Sequence, residues 1–439
     1  MWSEVPERGA PATERPTLWV ADGSCQFSGS AVCEPGSCAP VEIVPPSADA
    51  PLCVHGCRYT PDLTGLVFLD AEASTTLRYV PVGTDLQLAG APVVIATGIS
   101  SWSVGTGAVA YQVGSDVFVY DIASGQSRQI TSFAGVGGFH LSDDGSTVFV
   151  KRVTSATGIS MDLQRFNADG TGEQLLYTFL DADVTGSLLT GSEPVALSPD
   201  GSTLAILTGY RLQSNPCTTS ADCTETGYTC IGGIGSRCNS HQLALQTINL
   251  AQTARLNQPC ATDGDCGSRH FCDQTNLDGS GQGSCQPGRI LLGYAGQNTC
   301  TLLRLGNYDR FVGDIRFSAT NRVMGILRNT CGTQDINVTD LVEMDIDART
   351  FRALVENPGS NFGNCYDEVE QCTRAQDCTV ELFNASVSPQ GAWVGLVANS
   401  FRSAQSRQAW LYDVRGGRKF PLPGTFFQTV RTAQVLAGP

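Results

Sequence analysis

Residues 195–207 read as two apolar runs, Val195-Ala196-Leu197 and Leu204 to Leu207, around Ser198-Pro199-Asp200-Gly201. Pro199 presets its φ for a turn, Asp200 has a side chain short enough to close one, and Gly201 tolerates positive φ. Such a stretch predicts a β-hairpin. Copies recur at Leu141-Ser142-Asp143-Asp144-Gly145-Ser146-Thr147-Val148 and at Val387-Ser388-Pro389-Gln390-Gly391. Phe317 to Val323 is a weaker copy, with Asn321 expected to take the left-handed role of the glycine. Tyr59 to Gly65 is a longer variant, and Trp102 to Val113, turning at Gly105 and Gly107, is the most divergent. A hairpin that returns along a chain is a repeat, and a repeat restricts the fold to arrays of one small unit.

A second hairpin follows each of the first. Val117 to Ile122 turns at Ser124-Gly125, Leu163 to Phe166 at Asn167-Ala168-Asp169-Gly170, Leu341 to Ile346 near Asp347-Ala348-Arg349, and Trp410 to Val414 at Gly416-Gly417. Leu243 to Leu250 and Leu77 to Val82 fill the remaining places. Each unit therefore has four strands, and four-stranded units repeated around an axis are propeller blades. The expected fold class is all-β, a β-propeller with disulfide-rich loop insertions. Six double hairpins are visible. Leu18-Trp19-Val20 and Val41 to Val44 are expected as two outer strands and Thr432 to Leu436 as one inner strand of a mixed closing blade, which favours seven blades over six.

The Ser198 to Gly201 hairpin and the Asn167-Ala168-Asp169-Gly170-Thr171-Gly172 turn resemble those of TolB-type and WD-repeat-like β-propellers of the bacterial envelope. The resemblance covers about residues 57–439, apart from the insertions. It implies the fold and little of the function, because propellers host many unrelated activities. No companion domain of the translocation protein is visible, so that role is not carried over.

Eighteen cysteines set the compartment. Cys25, Cys33, Cys38, Cys53 and Cys57 lie in or beside an N-terminal closing segment, residues 1–56, that precedes the propeller at 57–439. Cys217, Cys223, Cys230 and Cys238 fall in an insertion at 216–239, and Cys260, Cys266, Cys272 and Cys285 in one at 259–287. Cys300 and Cys331 stand apart, and Cys365, Cys372 and Cys378 occupy a loop at 364–379. Three segments share a Cys-x5-Cys spacing with Asp222, Asp265 or Asp377 before the second cysteine. They resemble small Dickkopf-like cysteine-rich modules. Pieces this short cannot bury a core, and crosslinks substitute for one. Structural zinc pairs cysteines at closer spacings, so disulfides are the reading for all eighteen, with Cys53 and Cys57 the best metal exception. Four cysteines allow three pairings, which sequence leaves open. Such density belongs outside the reducing cytosol, in a secreted, periplasmic or cell-surface protein, although no signal peptide is visible.

The formal net charge is −15, which argues against nucleic acid as a partner and against an anionic membrane surface. No apolar run is long enough for a membrane span.

Catalytic motifs are not found. His55, His140, His241 and His270 form no paired metal motif, and no Gly-x-Ser-x-Gly elbow or phosphate loop occurs. His140 falls on an inner-strand position that can face a central channel, against the plainer reading of a satisfied structural histidine. Asp143/Asp144, Asp181/Asp183 and Asp345/Asp347 fit acid–base or calcium chemistry, but all lie at expected turns, where aspartate caps backbone. Asn337 and Asn384 begin N-glycosylation sequons. No cofactor is expected, structural calcium being the one ion considered. The expected role is a non-catalytic scaffold presenting loops to a protein or polysaccharide partner, or to another copy of itself. A propeller hydrolase or lyase acting on a glycan or peptide, and a calcium-dependent adhesion module, are the alternatives.

Overall fold

A computed structural model describes residues 57–69, 75–84, 87–154, 161–179, 195–219, 237–274, 282–294, 315–329 and 338–355, with Asp222 and the further strands named below. The first blade comprises Cys57–Tyr59, Gly65–Leu69, Leu77–Pro81 and Val93–Ala96. The second comprises Ile99–Gly105, Ala108–Val113, Asp116–Asp121 and Gln126–Gln129. The third comprises Val136–Leu141, Thr147–Val153, Met161–Asn167 and Gln174–Phe179. The fourth has Val195–Leu197, Thr203–Pro216, Arg237–Asn249 and Gly283–Tyr294. The fifth has Arg316–Ala319, Arg322–Asn329, Val338–Asp345 and Thr350–Val355, with Tyr308–Phe311 extending its first edge. The sixth has Val380–Val387, Trp393–Ser400, Ser403–Asp413 and Arg418–Pro421. Each is an antiparallel meander in chain order, and the first strands of blades two to six neighbour one another in succession around the axis.

The ends of the chain make one more blade. Thr429–Ala433 pairs with Trp2–Val5, which pairs with Thr17–Val20, which pairs with Val41–Val44. A single parallel bridge, Arg407 to Thr429, fuses this blade with the sixth into one eight-stranded sheet. Counted as two, that sheet brings the described residues to seven blades, the favoured number. The closing blade is one C-terminal strand plus three N-terminal ones, not the expected one plus two. Trp2–Val5 escapes a sequence reading because four residues carry too little alternation. The inner strand also begins three residues earlier than expected, at Thr429 rather than Thr432.

Blade-on-blade packing explains the apolar runs. Leu204 and Ile206 join Phe149, Met161 and Leu163 in a core between the third and fourth blades. Ala205 and Leu207 point the other way, into a core with Phe317, Val323 and Met344 of the fifth blade. Both faces of the strand are buried, so the sequence reads as an uninterrupted hydrophobic run rather than an alternating one. Leu204→Ala at such a site costs about 2–5 kcal/mol.

Successive turns of a meander alternate between the two ends of its blade. The Ser198–Gly201 turn, between first and second strands, therefore shares an end with the 259–287 insertion, between third and fourth. The 216–239 insertion leaves from the opposite end, at the tip of a long hairpin in which Gln213 faces Asn239 and Pro216 faces Arg237. Thr229–Ile231 adds a short strand there and sets Cys230 opposite Cys238.

In the 259–287 insertion the pairing is Cys260–Cys272 and Cys266–Cys285. Cys57 and Cys217 are also disulfide-bonded. Cys25, Cys33, Cys38, Cys53, Cys223, Cys300, Cys331, Cys365, Cys372 and Cys378 lie outside the described residues, as do His55, Asp181/Asp183, Asn337 and the Ser388–Gly391 turn. Asn384 sits within a paired innermost strand opposite Val397, not in the surface loop a glycan acceptor occupies.

Candidate binding face and axial ring

The repeated turn is a hydrogen-bonded cassette. In the fourth blade Asp200 Oδ1 accepts from Ser198 Oγ at 2.6 Å, Ser202 N at 3.1 Å and Ser202 Oγ at 2.8 Å. Ser198 Oγ in turn accepts from Thr203 N at 2.9 Å, and Gly201 has φ 68°. The third blade repeats this with Ser142, Asp144, Ser146 and Thr147, and Gly145 at φ 72°. In the first blade Thr60 and Asp62 play the same parts, but Leu63 takes the left-handed position at φ 61°. The Ser142 and Ser198 hydroxyls hold the Asp144 and Asp200 carboxyls below the ordinary range. At Asp62 burial acts to raise the carboxyl, yet bonds from Thr60 and Thr64 outweigh it and the net shift is downward. The expectation for Asn321 is not met. Its turn is one residue shorter, pairing Phe317 with Val323 where Leu197 pairs with Leu204, and Asn321 does not adopt positive φ.

The cysteine-rich modules use aspartate similarly. Asp265 Oδ2 accepts from Ala261 N at 2.9 Å and Thr262 N at 2.8 Å, closing the loop between Cys260 and Cys266. Asp222 Oδ2 accepts from Thr218 N at 2.7 Å and Thr219 N at 2.8 Å in the first module, and bonds from Thr218 and Thr219 lower its carboxyl to about 2. The shared aspartate is thus a loop clamp.

The 259–287 module is docked on three blades. Arg269 bonds Thr203 Oγ1 in the fourth blade and, through Nε, Asp347 Oδ1 in the fifth at 3.2 Å. Arg349 of the fifth blade reaches back to Asp263 Oδ2 at 3.3 Å and the His270 carbonyl at 3.1 Å. Tyr177 of the third blade donates to Gln286. His270 is 1% exposed, and its Nε2 accepts from Asn249 N at 3.1 Å. Burial pushes this imidazole below its usual range, keeping it neutral as that acceptor. Arg269 and Arg349 have φ of 64° and 53°. Non-glycine residues hold such backbone only where surrounding contacts fix it, and here both are pinned across the junction.

Around the axis, equivalent positions align by register. The residue two before the turn serine or threonine is Arg58, His140, Ala196 and Arg316 in blades one, three, four and five, paired with Val67, Phe149, Ala205 and Met324. Ser103, paired with Ala110, is the counterpart in blade two. His140 does lie on an innermost strand and is half-buried. The Arg58 guanidinium stands 5.7 Å over the Trp102 ring. Arg316 Nη1 crosses blade four to reach Asp143 Oδ1 of the third-blade turn at 3.8 Å. A single-position repeat signal, read two residues ahead of each turn, would have singled out Arg58 and Arg316 in the sequence.

Asp345 and Asp347 take separate partners. Asp345 Oδ1 caps Ala348 N at 2.9 Å and Asp345 Oδ2 meets Arg322 at 3.5 Å, while Asp347 pairs with Arg269. The sulfurs of Cys260, Cys266 and Cys272 lie within 4.8 Å of one another. All three are committed to disulfides and offer no thiolate for zinc.

Successive four-stranded meanders around an axis, with crosslinked insertions, decide the class. The chain is a disulfide-bearing β-propeller. No family model and no curated protein matches it. Among solved structures it is similar to TolB from Acinetobacter baumannii, at 13% identity and TM-score 0.39, over 83% of this chain and 64% of that one. It is also similar to Porphyromonas gingivalis dipeptidyl peptidase 4, at 11% identity and TM-score 0.41, over 84% of this chain and 53% of that one. A third is an oligogalacturonate lyase in complex with manganese, at 10% identity and TM-score 0.39, over 95% of this chain and 73% of that one. The propeller spans less than two thirds of the first two. The disulfides point to an oxidising compartment. Among the described residues no helix is long and apolar enough to cross a membrane.

Proposed function

We propose that this propeller is a non-catalytic binding scaffold, secreted, periplasmic or at the cell surface, that presents its turn end to a protein or glycan partner. The observation that carries the reading is the 259–287 module, held by two disulfides and by side-chain bonds to three blades. Ordering a loop before binding removes an entropic cost from association, and loops on rigid scaffolds commonly carry recognition. The same end carries the Ser142 and Ser198 turn cassettes, whose carboxylates are spent on turn amides and hydroxyls.

Affinity capture from the native surroundings, read by mass spectrometry, tests this. Ala123 and Ala348 are exposed on the turn end, and Ser115 is exposed on the opposite end. Ala123→Trp with Ala348→Trp is expected to abolish recovery of the partner, while Ser115→Trp leaves it unchanged. The reverse pattern overturns the reading.

A further inference from the structure

We infer that the 259–287 module is a thiol-triggered switch with two complete disulfide pairings, the one observed and a second, Cys260–Cys266 with Cys272–Cys285. In the observed pairing both bonds tie the loop from Cys260 to Cys266 to the strand pair His270–Asp273 and Gly283–Tyr294, through Cys272 and Cys285. Yet the sulfurs of Cys260 and Cys266 lie within 4.8 Å of each other and of the Cys272 sulfur. Cys272 and Cys285 are direct cross-strand partners. Residues so placed have Cα atoms about 4.5–5.5 Å apart, inside the span a disulfide bridges. Both bonds of the second pairing therefore join cysteines that are already neighbours. The 216–239 module repeats the placement, its third cysteine, Cys230, standing opposite its fourth, Cys238.

One of the four residues offers an entrance. Cys272 is partly exposed, whereas Cys260, Cys266 and Cys285 are 3%, 0% and 1% exposed. A low-molecular-weight thiolate attacks the Cys272 sulfur and breaks Cys260–Cys272, leaving a mixed disulfide on Cys272 and a thiolate on Cys260. The Cys260 thiolate attacks the neighbouring Cys266 sulfur, and Cys285 departs as a thiolate. Cys285 then attacks its cross-strand partner Cys272, which closes Cys272–Cys285 and returns the external thiolate. No electrons are gained or lost overall, so the thiol is a catalyst and the exchange runs in an oxidising compartment. In the second pairing no disulfide joins the loop to the strands. Its docking then falls to hydrogen bonds, among them Cys272 N to Asp263 Oδ1 at 2.9 Å and Gln274 Nε2 to the Ala261 carbonyl at 2.5 Å, and to the Asp263–Arg349 pair at 3.3 Å. The module lies at the turn end, so the switch governs the proposed binding face; this consequence, unlike the exchange itself, rests on that reading.

The test is non-reducing peptide mapping of the full chain after incubation with reduced and oxidised glutathione, free thiols being blocked with N-ethylmaleimide. Cleavage before Asp263, Asp265, Asp273 and Asp278 and after Arg269 puts the four cysteines on separate peptides. Peptides joined by Cys260–Cys266 and by Cys272–Cys285 are expected with glutathione and not without it. Asp263→Ala removes two of the loop's contacts and is expected to raise the second pairing several-fold. In Cys272→Ser the Cys260 thiol starts free, and Cys260–Cys266 with a free Cys285 is expected as a second species. The observed pairing alone, in glutathione-treated parent and Asp263→Ala, overturns the switch whether or not Cys272→Ser folds. Cys266–Cys285 as the sole bond in folded Cys272→Ser, beside a free Cys260, overturns the exchange route. If the second pairing never forms while the captured partner still depends on Ala123 and Ala348, this inference falls and the binding scaffold stands. If it forms but the partner depends on Ser115, the switch stands and its bearing on recognition falls.

Discussion

Gly145 of the third blade lies directly against Thr106 of the second. Thr106 N donates to the carbonyl of Asp143 at 2.8 Å, and a Cβ on Gly145 would overlap the Thr106 carbonyl oxygen. Gly201 holds the same left-handed turn position in the fourth blade, with nothing within 4 Å of an added Cβ. The two glycines are therefore required for different reasons. Gly201→Val is expected to cost about 1–3 kcal/mol from backbone strain alone. Gly145→Ala incurs strain of that kind and also forces two blades apart, so its cost is expected to exceed that of Gly201→Ala by about 1–3 kcal/mol. Urea unfolding of the two alanine variants measures the difference, and equal losses contradict the close contact.

Acid sensitivity follows from the turn carboxyls. The Asp62, Asp144 and Asp200 carboxyls titrate below the ordinary range in the folded chain. Their stabilisation is complete above the unfolded value, near pH 4, and is lost as pH falls through the lower folded values. His270, lowered by burial, acts higher, its contribution declining once pH drops below the unfolded value near 6.5. Stability measured by urea at pH 7, 5 and 3 is expected to fall at both steps. Asp144→Asn with Asp200→Asn should shrink the step between pH 5 and 3, and His270→Gln the step between pH 7 and 5. Unaltered steps would show that these groups are not the ones titrating.

The two modules are expected to respond differently to deletion. Removing 216–239 and joining Asn215 to Ser240 by a short Gly-Ser linker leaves the blade hairpin paired, and the propeller is expected to fold with little change in melting temperature. Removing 259–287 takes away part of the fourth strand and strips Thr203, Asp347 and Arg349 of partners. That deletion is expected to destabilise severely. A smaller lesion, Asp347→Ala, should cost about 0.5–1 kcal/mol, as an exposed ion pair does. A 259–287 deletion that melts like the parent would mean the module is not clamped.

Much of the blade plan was legible because the turn chemistry is local. Pro199, Asp200 and Gly201 announce a hairpin without reference to anything distant, and the Asn167–Gly170 turn likewise forms as expected, with Gly170 at φ 80°. What escaped depends on tertiary context. Leu63 in a left-handed turn is unreadable as such, since leucine disfavours that conformation and only the Thr60 and Asp62 bonds hold it. The docking of Arg269 on Asp347 joins residues 78 apart, and no local pattern encodes it. Arg58 and Arg316 carry no local signal, and only the strand register sets them at equivalent positions of their blades. Asp222 and Asp265 were visible as a pattern, but their work as loop clamps needed the backbone amides.

Cysteine parity makes a covalent prediction about the ring. The first cluster, Cys25 to Cys57, holds five cysteines and the last, Cys365 to Cys378, holds three. With all eighteen oxidised in one chain, at least one of the five pairs outside its cluster, and the last three are the other odd group. Pairing of Trp2–Val5 with Thr429–Ala433 already brings the chain ends together. A bridge between the clusters would contribute on the order of 5 kcal/mol in the chain-entropy model. Non-reducing peptide mapping is expected to recover a peptide joining the two clusters. Five N-terminal cysteines linked only among themselves, with one free thiol, would remove the clasp.

The most direct test of the account is site-specific photo-crosslinking from each end of the ring. A photoreactive amino acid placed at Ala348, in the turn beside the Asp347–Arg269 contact, reports on the turn end. The same residue at Ser115, in the exposed turn after Val113, reports on the opposite end. Irradiation in the native surroundings is expected to yield a crosslinked partner from position 348 and none from position 115. Crosslinks from 115 alone would contradict the assignment of the turn end as the recognition face.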